Sequence, residues 1–83
     1  MRNKMKTVEK DDIIPIMDYV KVDVLTAGQL EVDDLILVDG EVVSIVEIIS
    51  LPDGYTIEII NDFGEREVIE VEEYQQFDLM MLQ

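Results

Sequence analysis

Eighty-three residues suffice for one domain with a thin core, because so short a chain buries only about two-thirds of the surface its unfolded form exposes. The 48% apolar content is too high for a disordered chain, and the lack of cysteine and histidine excludes a disulfide framework, thiolate metal sites and the commonest general base. Twenty acids against 6 bases give a net charge of −14, which disfavours direct contact with nucleic acid or an anionic membrane and favours a basic protein surface.

Three of the six bases, Arg2, Lys4 and Lys6, fall in the first six residues, so from Thr7 onward 3 bases face 20 acids. No apolar stretch approaches the roughly 20 residues that span a bilayer, and no long apolar run follows the basic start. The expectation is a cytoplasmic protein of its host cell.

Residues 1–17 read as an arm. Met1 to Asp12 is polar without a period, and Ile13-Ile14-Pro15-Ile16-Met17 is an apolar patch broken by a proline, which suits only an extended or edge segment. From Tyr19 to Leu25 the chain alternates, with Val20, Val22 and Val24 on one side and Tyr19, Lys21 and Asp23 on the other. That is the period of a half-buried strand. Thr26 to Leu30 allows a single helical turn, with Thr26 as N-cap.

The clearest signal is Asp39-Gly40 between Leu35–Val38 and a second apolar run that starts at Glu41. A type I′ turn needs positive φ at both central residues, which this pair supplies, and a two-residue loop sets Val38 opposite Glu41 and Ile36 opposite Val43. The second strand continues to Leu51, but its alternation fails near Glu47, where a bulge would repair it. Pro52-Asp53-Gly54 is a turn. After it Tyr55, Ile57 and Ile59 alternate with Thr56 and Glu58. A three-residue loop Asp62-Phe63-Gly64, with Gly64 left-handed, pairs Ile57 with Ile69 and Tyr55 with Val71. Glu72 to Phe77 reads as one helical turn, and Asp78 to Leu82 as a closing strand.

Turn signals every 8–12 residues around five or six short strands indicate an all-β domain over residues 18–83. The expected form is a small SH3-like, partly open barrel of antiparallel strands with one or two single helical turns. The run Leu30 to Ile48 resembles the opening hairpin of SH3-like barrels of the elongation factor P N-terminal and KOW type: an acidic-Gly turn between alternating apolars, followed by a Val-rich strand. The resemblance covers about 20 residues and implies the fold. This chain has Asp33-Asp34 where a Gly-Asp pair is usual there, and it lacks the bases such modules turn toward RNA.

Nothing in the residue types points to an enzyme or to a cofactor. Ser44 and Ser50 have no histidine to activate them. Asp33, Asp34, Asp39 and Glu41, like Asn61, Asp62 and Glu65, do not carry calcium-loop spacing. The acids Glu58, Glu65, Glu67, Glu70, Glu72 and Glu73 gather on or beside the last hairpin and form the candidate partner-binding set. Glu70 and Glu72 share a strand face about 6.8 Å apart, and Glu58 lies on the neighbouring strand. Like charges on adjacent strands cost stability, and such a face imitates the anionic rails of a duplex. In composition the chain resembles virus-encoded inhibitors that occupy the basic surface of a host DNA-binding protein. The alternative is a structural or assembly module, such as a phage particle component or a small accessory subunit. Mimicry predicts one continuous acidic face; an assembly role predicts an exposed apolar edge. The apolar ends, Ile13–Met17 and Leu79-Met80-Met81-Leu82, suggest a homodimer.

Overall fold

A computed structural model describes residues 18–83, so the proposed arm, with its Ile13–Met17 patch, lies outside the described residues. Six strands follow in chain order: β1 Tyr19–Thr26, β2 Leu35–Val38, β3 Glu41–Leu51, β4 Gly54–Ile60, β5 Arg66–Glu72 and β6 Gln76–Leu82. A 3₁₀ turn, Ala27–Gln29, comes after β1. They form one antiparallel sheet in the order β1-β6-β2-β3-β4-β5. Strands β2 to β5 are a meander, and β6 returns to lie between β1 and β2, leaving β1 and β5 as the edges. The fold is the all-β, partly open arrangement that the sequence leads one to expect.

The turns set the registers. Asp39 and Gly40 have φ of 52° and 83°, the type I′ signature, and Val38 pairs with Glu41 and Ile36 with Val43. Gly64 has φ of 80°, Asn61 N–H donates to Glu65 O across the three-residue loop, and Ile57 meets Ile69 and Tyr55 meets Val71. In β3 the ladder passes from the Ile45–Ile59 pair to the Glu47–Glu58 pair, so Val46 is the bulged residue. The extra residue moves the core-facing set from Val43 and Ile45 to Ile48 and turns Glu47 and Ile49 to the opposite, outer face.

The core lies on the inner face of the meander. Ile36, Ile45, Ile57 and Ile59 are at most 1% exposed, and burying each contributes about 2 kcal/mol. Ala27, Leu30, Val43, Val71 and Phe77 complete the cluster. One end of this face is closed by the 3₁₀ turn, where Ala27 N–H donates to Gln75 O at 2.9 Å and Gly28 N–H to Glu73 O at 3.2 Å. The Gln29 side-chain oxygen accepts from Thr26 N–H at 2.9 Å, which holds the expected single turn at its start.

Two expectations are corrected. Glu72 to Phe77 is not a helical turn: β5 runs to Glu72, Glu73-Tyr74 is a tight turn, and Gln75 N–H donates back to Glu72 O at 3.1 Å. A helical turn would have consumed the pairing of Gln76 with Thr26 and of Phe77 with Leu25, which carries Phe77 into the core. Nor are Val20, Val22 and Val24 a half-buried face; they are 39%, 47% and 41% exposed. The ladder with β6 passes from Lys21–Met80 to Asp23–Leu79, so Val22 is bulged out, and no second layer covers this edge among the described residues. Asp33 has φ of 77°, in the left-handed region that favours glycine. Among the described residues no helix is long and apolar enough to cross a membrane.

Candidate functional site

Residues directly opposite on antiparallel strands share a sheet face. On the outer face of β3, β4 and β5 this gives three rows: Glu47–Glu58–Val68, Ile49–Thr56–Glu70 and Leu51–Gly54–Glu72. The bulge at Val46 brings Glu47 into the first row, and the three-residue loop fixes the β5 members. Glu58, Glu70 and Glu72 of the sequence-derived set therefore stand on one face, joined by Glu47, which that set omits. Placing the anticipated bulge one residue before Glu47 would have found it.

The other three acids are dispersed. Glu67 pairs with Ile59, whose side chain is in the core, so it belongs to the opposite face. Glu65 is engaged in its own loop: its Oε1 accepts from Asn61 Nδ2 at 2.8 Å, while its N–H donates to Asn61 Oδ1 at 2.9 Å. Glu73 sits in the β5–β6 turn, where its carbonyl oxygen holds Gly28 N–H.

Among the described residues one cation serves this face. Arg66 Nη1 lies 3.1 Å from Glu58 Oε2. The guanidinium is well exposed, so the pair adds little stability, but it leaves Glu47, Glu70 and Glu72 without an ion pair among the described residues. Apolar side chains interrupt the acids: Val68 is 60% exposed, with Ile49 and Leu51 also open to solvent. The face is thus mixed, acidic along β5 and apolar along the far part of β3.

No three histidine, cysteine or acidic residues among the described ones are grouped to hold a metal ion. Ser44 stands between Leu35 and Ile60, and Ser50 faces Tyr55.

A second exposed surface lies at the other edge. Val20 opposes Met81 and Tyr19 opposes Leu82, and Met81 and Leu82 are more than half exposed. Strand addition to β1 is hindered, because Val22 bulges and Asp23 Oδ1 accepts from the Val24 N–H at 2.8 Å. Comparison of the chain with protein-family models, with curated proteins and with solved structures finds no match.

Proposed function

We propose that the chain is an acidic protein-binding module, a nucleic-acid mimic that covers the basic surface of a DNA-binding protein in the host cell and so inhibits it. The carrying observation is that Glu47, Glu58, Glu70 and Glu72 lie on one face of three adjacent strands, interrupted by Val68, Ile49 and Leu51, with Arg66 the one cation paired to them among the described residues. Like charges so placed cost stability, and a basic partner offsets that cost. Exposed carboxylates also raise association rates with a cationic surface. The test is competition: duplex DNA should displace the protein from its target, and Glu70→Lys with Glu72→Lys should abolish binding while the domain stays folded.

A second reading has its own observation. The apolar β1/β6 edge, with Val20, Val22, Val24, Met81 and Leu82 exposed, supports an assembly module that contacts a neighbour through apolar side chains. Binding that survives high salt would favour it.

A further inference from the structure

A groove of about 380 Å³ lies where the β2–β3 turn meets the β4–β5 loop, with Tyr19, Glu41, Val42, Asp62 and Phe63 in its lining. Val42 is its floor: it is 8% exposed yet stands outside the core cluster, because its neighbour Val43 is the one turned inward. Two residues along β3, Ser44 stands in a row with Ile60 and Arg66, so Val42 shares the outer face of the sheet with Glu58. Phe63 forms one wall and is 84% exposed. Its loop is braced, since Asn61 Oδ1 accepts from Phe63 N–H at 3.0 Å and from Glu65 N–H at 2.9 Å. A large ring held out to solvent on a braced loop can meet a partner without an ordering cost. Glu41 and Asp62 are exposed beside it, and neither has an ion pair among the described residues.

An apolar side chain would use the rings and Val42 but would leave the two carboxylates unanswered. A lysine ammonium is strongly hydrated and sheds that water poorly against apolar walls. A guanidinium is planar and more weakly hydrated, stacks on aromatic faces and pairs with carboxylates, and its stem is aliphatic. We infer that this groove receives an arginine side chain of the partner protein, with its stem on Val42, its guanidinium against Phe63 and Tyr19, and its charge toward Glu41 and Asp62. Charge selects a basic partner over a second copy of the chain, which brings a net charge of −14 of its own. The inference rests on the reading of the chain as a ligand for basic proteins, and it adds an arginine-selective contact beyond the strand-borne carboxylates.

The test is a nuclear magnetic resonance titration of the full chain with three acetylated octapeptides, in which glycine alternates with arginine, with lysine or with the neutral arginine analogue citrulline. The arginine peptide should shift the Val42 methyls, the Phe63 and Tyr19 ring signals and the Gly40 amide. The lysine peptide, of equal charge, should bind about fivefold more weakly. Phe63→Ser, which removes an exposed ring and leaves every carboxylate in place, should abolish that preference. If the two cationic peptides bind equally and Phe63→Ser changes nothing, the groove is not the receptor, although the acidic chain still binds bases. If neither binds at low salt, the reading of the chain as a ligand for basic proteins fails with it. Citrulline binding as tightly as arginine would overturn the inference by showing that packing alone fills the groove. Groove signals that move in the free chain on Ile14→Ser with Ile16→Ser would assign the groove to the chain's own segment and overturn it too.

Discussion

Glu47 and Glu58 stand directly opposite each other on β3 and β4, one step beyond the bulge at Val46. Opposed like charges are destabilising, and among the described residues only Glu58 has a cation, Arg66, beside it. Glu47→Lys should therefore stabilise the domain by about 0.5 kcal/mol, read as a higher urea midpoint with unchanged slope. A lower midpoint would mean that the two carboxylates do not meet as the register requires.

Two turn positions test the backbone argument. A Cβ at Gly40 would meet nothing within 4 Å, so Gly40→Val isolates the cost of forcing a β-branched residue to φ of 83°. It should lose more than about 1 kcal/mol, with Gly40→Asn losing much less. Asp33 is the converse case, and Asp33→Gly should gain up to about 1 kcal/mol by relieving φ of 77°. Equal midpoints for Gly40→Val and the parent would remove the hairpin argument.

Gly54 is held by proximity instead. A Cβ there would collide with the Val71 carbonyl oxygen, a backbone atom that cannot move without opening β4 from β5. Gly54→Ala should cost about 2 kcal/mol or more and speed hydrogen exchange along β5. Unchanged exchange would show that the two strands tolerate separation.

Much of the fold was legible because its turns carry specific chemistry. Asp39-Gly40 and the Gly64 loop, read with the apolar pattern beside them, fixed two registers, Pro52-Asp53-Gly54 marked a third turn, and the failed alternation near Glu47 announced the bulge. The valines of β1 misled for a physical reason: alternation marks one face only in an unbroken strand, and the bulge at Val22 puts Val20 and Val24 on opposite faces of the ladder with β6. The segment after Glu72 misled because Glu73-Tyr74-Gln75 carries neither glycine nor proline to mark a turn. The candidate acids were half legible. Spacing along one strand placed Glu70 and Glu72 together, but Glu65 and Glu73 lie in turns, where strand periodicity says nothing about facing.

The exposed β1/β6 edge bears on self-association. Val20 and Met81 form a cross-strand apolar pair open to solvent. A homodimer at micromolar concentration is the expected outcome in sedimentation, and Val20→Thr with Met81→Gln should shift it to monomer. A parent protein that sediments only as monomer would remove the dimer from the account.

The central claim is that carboxylates of the outer face hold a basic protein surface. The most direct measurement is capture of a target from a lysate of the host cell by the parent protein and by Glu70→Lys with Glu72→Lys, each at about 0.1 M and 0.5 M salt, with and without duplex DNA. Raising salt shortens the Debye length from about 10 Å at 0.1 M toward 3 Å at 1 M. The account predicts a nucleic-acid-binding protein that the parent retains at low salt and releases to either high salt or DNA, and that the double variant never holds. A target kept at 0.5 M salt, or kept by the double variant, would contradict it and assign recognition to apolar contact.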